Sequence, residues 1–352
     1  MSLFQLDRQE ISSLIPGQPP YRGKQIWDGL YTNLILPWEQ TNLPKAIRNE
    51  LEADDRAQLA LSESQQFLAD ENRTIKTLYM LGDQNQVETV LMKYSSRVTL
   101  CVSSQAGCAM GCVFCATGQA GFFRNLSRGE ILEQVFRGAR TARNVFGARL
   151  SNLVFMGMGE PLSNFDNVIE AIQRISFDFG ISPRHITVST VGIVPGIKRM
   201  AEQKLPVSLA VSLHAANNSK RTELVPINQR YPLEQIVDAL RYYREQSNRR
   251  ISLEWAMMSG INDNESDAVE LAAIALELAA HVNLIPLNPT PKFPIPGSSE
   301  KVVADFRRTL TSLGVNATIR QNRGNQIAGA CGQLSTHAEP GRIRKITTAK
   351  TV

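Results

Sequence analysis

No apolar run in the sequence approaches the roughly 20 residues that a transmembrane helix needs. The longest candidate, residues 271–280, is short and contains Glu277. The first residues, MSLFQLDRQEISS, lack the basic segment followed by an apolar stretch that marks a signal peptide. We therefore expect a cytoplasmic protein with no membrane partner.

Cysteine is scarce, with five residues among 352. An odd and sparse set of cysteines is a poor framework for structural disulfides. Three of the five form the run Cys108-Ala-Met-Gly-Cys112-Val-Phe-Cys115, which has the spacing C-x3-C-x2-C. A structural zinc site usually has four ligands, often in C-x2-C pairs. Three thiolates at this tight spacing instead suit three corners of an iron–sulfur cluster whose fourth iron stays open to a ligand.

Low-complexity segments and short repeats are also absent, and the composition is that of a globular chain. Hydrophobic residues make up 43% and charged residues 20% of the sequence, which excludes a disordered or collagen-like protein. The 38 Lys and Arg residues outnumber the 33 Asp and Glu residues, which gives a net charge of +5. This excess is compatible with an acidic partner such as RNA, but an ordinary solvated surface explains it equally well.

The order of predicted elements changes along the chain. Roughly the first 65 residues favour helices, and residues 74–81 and 86–94 form a predicted β-hairpin. After residue 97 strands and helices alternate, and the clearest helix, residues 127–143, begins with the capping box Ser127-x-x-Glu130. The predicted strands are residues 97–104, 152–156, 185–190, 207–213, 251–257, 282–287 and 317–321. Repeated βα units predict a parallel sheet that is curled into a partial barrel.

Polar residues gather where these predicted strands end, which is where βα barrels carry their chemistry. That edge would hold the cysteine loop, the Gly159-Glu160 turn, Ser189, the Ser212-Leu213-His214 run, Glu254, Asn288 and Cys331. Each residue alone has a structural explanation, such as burial in the core or a strand-to-helix turn. Their joint placement at one rim indicates an active site.

Together these motifs resemble the RlmN/Cfr family of radical S-adenosylmethionine (SAM) enzymes, which methylate ring carbons of adenosine in RNA. The resemblance rests on LCVSSQAGC at 100–108, the cysteine run, FMGMGEP at 155–161, SLH at 212–214, VPIN at 225–228 and ACGQL at 330–334. It covers nearly the whole chain. It implies an α/β fold, namely a partial (β/α) barrel of the radical SAM type with a small helical N-terminal domain and a linking β-hairpin.

The resemblance also implies roles for individual residues. Cys108, Cys112 and Cys115 would ligate one [4Fe-4S] cluster. The positions that match SAM contacts are Gly159, Glu160, Ser189, Ser212, Leu213, His214 and Asn288. Cys331 matches the cysteine that becomes S-methylated, Cys101 matches its partner thiol, and Glu88 matches the proton acceptor.

The implied chemistry explains why two thiols are needed. C2 of adenine is not a nucleophile, so it cannot take a methyl group directly from a sulfonium. The Cys331 thiolate can do so, with a first SAM molecule as the donor. A second SAM, bound to the open iron, would yield a 5′-deoxyadenosyl radical that activates this methyl for addition to the base. Cys101 would release the product through a transient disulfide with Cys331.

We divide the chain into a helical accessory and RNA-binding domain (1–70), a hairpin linker with Glu88 (71–96), the barrel (97–340) and a basic tail (341–352). The resemblance implies ribosomal RNA as the substrate and transfer RNA as a further candidate. It also implies an electron donor such as flavodoxin, and we expect a monomer. Lys220, Arg221 and Arg230 are predicted to contact RNA phosphates.

Two loops differ from the family pattern. The run Asn325-Gln326-Ile327-Ala328-Gly329 stands where acidic residues are expected, and the loop 288–297 is rich in proline. Pro161 resembles the C2-methylating branch, with the C8-methylating Cfr-like branch as the alternative. Another radical enzyme on the same barrel and a zinc-stabilised RNA-binding protein are further alternatives. Metal content separates the last one, because a cluster protein is brown and holds about four irons.

Overall fold

The computed structural model describes residues 2–290, 292–320 and 323–334. The predicted basic tail, 341–352, and Gln321 at the end of the last predicted strand lie outside the described residues. Within the described part of the chain, no helix is long and apolar enough to cross a membrane.

The strands form one large sheet and one small hairpin. They are β1 (Leu61–Ala69), β2 (Thr74–Leu81), β3 (Gln86–Lys93), β4 (Val98–Cys101), β5 (Gln105–Gly107), β6 (Phe122–Asn125), β7 (Asn152–Phe155), β8 (Ile186–Thr190), β9 (Ser208–Ser212), β10 (Ile251–Met257), β11 (His281–Pro286) and β12 (Ala317–Ile319). The large sheet has the order β1-β2-β3-β4-β7-β8-β9-β10-β11-β12, and β5 pairs with β6. Strands β1 to β4 are antiparallel neighbours, and every pairing from β4 to β12 is parallel.

Helices lie between successive parallel strands, as the alternating sequence pattern predicted. The helices are α1 (Arg8–Ser13), α2 (Tyr21–Asp28), α3 (Lys45–Ala53), α4 (Ala116–Ala120), α5 (Arg128–Phe146), α6 (Phe165–Phe177), α7 (Val194–Glu202), α8 (Asn218–Leu224), α9 (Leu233–Ser247), α10 (Glu265–Glu277) and α11 (Glu300–Ser312). In the described residues β1 and β12 each pair on one side only, so the barrel is open. The predicted α/β partial barrel is confirmed.

Helix α5 shows how local sequence sets an element. Ser127 Oγ accepts a hydrogen bond from the Glu130 N–H at 3.2 Å, and Glu130 Oε2 accepts one from the Ser127 N–H at 2.8 Å. This is the predicted capping box, which satisfies two amides that the first helical turn leaves unpaired. The apolar face, with Ile131 and Val135 fully buried, packs into the core.

The N-terminal helices share one hydrophobic core with the barrel. The Phe4 and Phe136 ring centroids are 5.0 Å apart, which joins the N-terminus to α5. The Trp27 indole N–H donates to Asp178 just after α6 at 3.1 Å. Trp27 and Tyr31 are each only 4% exposed, so these two aromatic rings are part of the core and cannot stack on RNA bases.

Strand β1 was not predicted. Its residues fall in the region expected to be helical up to about residue 70, yet they pair antiparallel with β2. The polar run Ser62-Glu63-Ser64-Gln65-Gln66 carries little strand signal, and pairing with the apolar β2 overrides it. The predicted hairpin, β2 and β3, is therefore the middle of a four-stranded antiparallel unit, β1 to β4.

The predicted strand 97–104 is shorter than expected. Strand β4 ends at Cys101, and residues 105–107 form β5, which pairs with β6 instead of with the large sheet. After Cys101 the chain leaves the large sheet and continues through β5 into the cysteine loop at the rim.

Candidate active site

A cavity opens at the C-terminal ends of the parallel strands, where the sequence predicted the site. Its lining includes Cys108, Cys112, Cys115, Gly159, Glu160, Ser189, Ser212, His214, Glu254 and Cys331. The structure therefore brings together most of the predicted residues from six separate loops and strand ends. We call this cavity the main cavity.

The cysteine loop is held against the β5–β6 hairpin. The Cys108 N–H donates to the Gly121 carbonyl at 2.8 Å, and the Cys115 N–H donates to the Cys112 carbonyl at 3.1 Å. Gly107 has φ +72°, and a Cβ there would lie 2.0 Å from the Gly121 oxygen. Only glycine fits this approach, so a side chain at position 107 would displace the loop before Cys108.

The three thiols of the loop need a positive partner in order to ionise. Burial raises the pKa of the Cys108 thiol to about 12 and the pKa of Cys112 well above its usual range, and the neighbouring cysteines add to the rise for Cys112. Metal ligation requires thiolates, and a bound metal centre supplies the charge that stabilises them. The donor set, three thiols facing one cavity, fits three corners of a cluster.

Glu160 ties two rim loops together. Its Oε2 accepts a hydrogen bond from the Val191 N–H at 2.9 Å, and its Oε1 accepts one from the Leu162 N–H at 3.0 Å. Burial raises the pKa of this carboxyl to about 7. The side chain fixes the loops after β7 and β8 relative to each other while it lines the main cavity.

His214 is a neutral imidazole, and its hydrogen bond shows which ring nitrogen carries the proton. Nδ1 accepts a hydrogen bond from the Ala256 N–H at 2.9 Å, so the proton is on Nε2. Burial, reinforced by the positive charge of Arg221, lowers the pKa of His214 to about 3. The ring packs edge-on against Phe114 of the cysteine loop, with centroids 4.8 Å apart.

Arg221 corrects a prediction, because it is fully buried and cannot reach RNA. Its guanidinium donates to the Leu213 carbonyl at 3.1 Å and to Asn228 Oδ1 at 2.8 Å. These bonds pin the loop after β9 from behind. Lys220 pairs with the buried Asp267 and keeps 24% of its side chain exposed, and Arg230 is exposed, so their contacts with RNA phosphates stay a prediction.

A second, smaller cavity joins the two distant cysteines. Cys101, Cys331, Met156 and Arg320 all line it, and Cys331, Met156 and Arg320 line the main cavity as well. Burial raises the pKa of the Cys101 thiol to about 12. All five cysteines are free, so the disulfide implied by the resemblance is not formed in this structure. We call this space the thiol cavity.

Four predicted residues lie outside the lining of the main cavity. Cys101 faces the thiol cavity, Leu213 is buried in the core, and Asn288 is half-buried after β11. Glu88 is buried on β3, where Lys76 Nζ lies 3.3 Å from its Oε1. The same Nζ donates to the Ala328 carbonyl at 3.3 Å, which links this ion pair to the loop before Cys331.

Sequence reasoning missed Arg320 and Lys76. Arg320 directly follows β12, so the rule that places chemistry at strand ends could have found it. Lys76 could not have been found that way, because its link to Ala328 joins residues that are 252 apart in the chain.

Comparisons with known proteins agree with this geometry. Residues 102–272 match the radical SAM superfamily. The chain is 46% identical over 91% of its length to a protein of Mycolicibacterium paratuberculosis named "Probable dual-specificity RNA methyltransferase RlmN", of which it covers 90%. It is 45% identical over 92% of its length to the protein of that name from Salinispora tropica, of which it covers 89%.

A solved structure gives the same result. A radical SAM methyltransferase from Sphaerobacter thermophilus superposes with a TM-score of 0.90 at 42% identity, and the match covers 95% of this chain and 98% of that one. The similarity extends over the N-terminal helices, the antiparallel unit and the barrel alike. The chain therefore belongs to the RlmN family of radical SAM RNA methyltransferases.

Proposed function

We propose that this protein methylates C2 of an adenosine in large-subunit (23S) ribosomal RNA, and also in transfer RNA, through an S-methyl group carried on Cys331. The observation that carries the proposal is the position of Cys331. It lines the main cavity together with the three loop cysteines, and it lines the thiol cavity together with Cys101. A carrier that must load its methyl at one place and be released by a second thiol needs this shared position.

The family uses a [4Fe-4S] cluster and SAM. Cys108, Cys112 and Cys115 would hold the cluster. The residues that line the main cavity and would hold SAM are Gly159, Glu160, Ser189, Ser212 and His214. The family resemblance adds Leu213 and Asn288, which lie outside that lining. When bound, these groups supply a carbon-centred radical by reductive cleavage of the sulfonium. The neutral His214 and the two hydrogen bonds to Glu160 keep this part of the rim rigid around them.

The chain itself supplies the thiol chemistry. The Cys331 thiolate takes the methyl group. One hydrogen atom of this methyl would be removed by the carbon-centred radical, and the methyl carbon then bonds to C2 of the adenine, which loses its ring proton. The Cys101 thiolate attacks the Cys331 sulfur, so that an S–S bond forms as the bond from that sulfur to the new carbon breaks. The freed carbon gains a proton to become the product methyl, and the one electron left over would pass to the bound cluster. Glu88, buried beside Lys76, would accept the ring proton.

The choice of C2 rests on Pro161 after Glu160, and the relatives' name, dual-specificity RNA methyltransferase, supports two classes of RNA. The alternative is a C8-methylating enzyme of the Cfr type. An RNA substrate of this kind would place the protein in the cytoplasm. Reduction of the cluster would come from a donor such as flavodoxin, and we propose that the enzyme acts as a monomer.

Mass spectrometry of RNA nucleosides tests the proposal. RNA from cells with and without the gene is digested, and methyladenosines are separated by the position of the methyl group. The proposal predicts 2-methyladenosine in ribosomal and transfer RNA that is lost with the gene. Loss of 8-methyladenosine instead would contradict the C2 assignment, and an unchanged profile would contradict the function.

A further inference from the structure

Arg320 follows the end of β12 and lines both the main cavity and the thiol cavity, as Cys331 does. Among the described residues, it is the one charged side chain that lines both cavities. Its backbone N–H donates to the Leu284 carbonyl at 2.8 Å, which continues the β11–β12 pairing by one residue. Its guanidinium Nη1 donates to the Met156 sulfur at 3.5 Å. The residue is therefore held on the barrel wall by its backbone N–H at one end and by its guanidinium at the other.

The charge of Arg320 is not cancelled by a direct ion pair. Among the described residues, no carboxylate lies within ion-pair distance of its guanidinium, and only the weakly accepting Met156 sulfur takes one of its side-chain protons. Glu254 is the acidic residue that acts on it electrostatically, from beyond ion-pair distance, and the Oε1 of Glu254 accepts a hydrogen bond from Asn283 at 2.8 Å. The positive charge thus stays available to the cavity.

Both thiols share a cavity with this charge. Arg320, Cys331 and Cys101 all line the thiol cavity. Burial raises the pKa of the Cys101 thiol, and the positive charge of Arg320 acts in the opposite direction and lowers it. The second arginine of the thiol cavity, Arg323, has its guanidinium 4.7 Å from the Tyr94 ring centroid.

We propose that Arg320 is a positioning residue whose fixed positive charge stabilises the thiolates of Cys331 and Cys101 in turn. The inference rests on the proposed function, which requires Cys331 to act first as a nucleophile and Cys101 to act later. A thiolate, not a thiol, performs both attacks. An arginine suits this task because its guanidinium stays charged and planar at any physiological pH.

The expected effect of removing the charge follows from thiol chemistry. As a general rule, an opposite charge within about 4–6 Å lowers the pKa of an acidic group by about 1–3 units, so loss of such a charge reduces the ionised fraction by about 10- to 1,000-fold. The thiolate that remains is more basic and therefore more nucleophilic. This higher reactivity offsets about half of the loss in thiolate fraction on a logarithmic scale. We expect Arg320→Met to slow methylation of Cys331 by about 3- to 30-fold.

The experiment follows Cys331 methylation without RNA. Protein is purified without its cluster, and mass spectrometry of the Cys331 peptide selects a preparation in which this residue is unmethylated. The protein is then reconstituted and given SAM with a deuterated methyl group. The Cys331 peptide is then followed by mass spectrometry over a single turnover. Iron content, the visible spectrum and the unfolding midpoint are recorded for every variant. Arg308→Met is the matched control, because Arg308 is exposed on α11 and contacts Asp305.

The inference predicts slow methylation in Arg320→Met, a rate close to wild type in Arg320→Lys, and no change in Arg308→Met, all with a full cluster. Equal rates in Arg320→Met and wild type would overturn it. Arg320→Lys as slow as Arg320→Met would also overturn it, because the charge would then not be the cause. No methyl on Cys331 in the wild type would instead overturn the proposed function.

A second measurement does not depend on SAM or on the cluster. Alkylation of Cys101 and Cys331 by iodoacetamide at neutral pH is followed peptide by peptide in wild type, Arg320→Lys and Arg320→Gln. The inference predicts slower alkylation of both thiols in Arg320→Gln alone. The same rate in all three proteins would overturn it even if Arg320→Met failed to hold its iron.

Discussion

The cysteine loop presents three thiols to one cavity, and the described structure offers no nearby fourth thiol of the same loop to replace a lost one. We predict that Cys112→Ala loses the cluster and all methyl transfer to RNA. Iron content should fall well below the about four irons per chain of a full cluster, and the visible absorption should be lost. Cys101→Ala is the control, since Cys101 faces the thiol cavity and should keep the iron. A fully loaded and active Cys112→Ala protein would contradict the ligand assignment.

Arg221 and Arg230 lie nine residues apart but should behave in opposite ways. Arg221→Met leaves the Leu213 carbonyl and Asn228 without their buried donor, so we predict a loss of about 3 kcal/mol or more in unfolding free energy. Arg230→Ala should fold normally and reduce the salt slope of RNA affinity by about 0.7–0.9. Urea unfolding and binding titrations at several salt concentrations measure the two effects. Equal stability of both variants would contradict the buried role of Arg221.

At the residue scale the sequence predicted the site through spacing and position. The tight cysteine run and the strand-end rule located the lining of the main cavity, because backbone geometry alone decides which strand ends meet. The prediction for Arg221 was wrong, because a charged side chain was expected at the surface. The sequence pattern of a helix does not show that a buried backbone carbonyl elsewhere in the chain, here that of Leu213, needs a hydrogen-bond donor.

At the scale of elements, Glu133 of α5 fastens the start of β1 to the barrel. Its Oε2 accepts a hydrogen bond from the Ala60 N–H at 2.7 Å, and its Oε1 accepts one from Arg137 Nε at 3.0 Å. The Glu133 side chain is fully buried, and burial raises the pKa of its carboxyl despite the nearby Arg137. The carboxylate is thus the acceptor on which this contact depends.

We predict that Glu133→Ala lowers the free energy of unfolding by about 3–5 kcal/mol, because it leaves Arg137 and backbone amides without a buried partner. Glu170→Ala is the control. Its carboxylate is 53% exposed and pairs with Arg128, so its removal should cost about 1 kcal/mol or less. Chemical unfolding of the three proteins gives the comparison. A Glu133→Ala protein as stable as wild type would show that β1 is held by strand pairing alone.

The elements that sequence predicted well are those with strong local signals. Helix α5 has its capping box and apolar face, and the parallel strands are short apolar runs between helices. Strand β1 and the short β5–β6 hairpin lack such signals. Strand β1 forms because it pairs with β2, the next strand along the chain, and the β5–β6 hairpin forms across a longer separation, as in the pairing of Gln105 with Asn125.

For the whole molecule, the shared core changes what the N-terminal region is expected to do. Phe4 and Trp27 are buried against α5 and the end of α6, so the first 57 residues cover apolar surface of the barrel. We predict that the full chain unfolds in one calorimetric transition and that removal of residues 1–57 lowers the unfolding midpoint or makes the chain insoluble. Two independent transitions would indicate the separate domain that was predicted for residues 1–70.

The family was identified from short segments spread over the chain, and the comparisons confirm it. Those segments belong to the rim loops, where close backbone approaches restrict the residues. At Gly159, for example, φ is +100° and a Cβ would lie 2.5 Å from the Gln105 side chain. The sequence could not predict how tightly the N-terminal helices join the barrel, because that contact depends on surfaces shaped by the complete fold.

The proposed roles of Cys331, which carries the methyl, and Cys101, which releases the product, are tested by incubating Cys101→Ala with RNA, SAM and a reductant. A denaturing gel is then run before and after nuclease treatment. The account predicts a covalent RNA adduct through Cys331 that collapses to protein size, with no adduct in wild type after turnover or in Cys331→Ala. A Cys101→Ala protein that turns over normally, or a Cys331→Ala protein that still methylates adenosine, would contradict it.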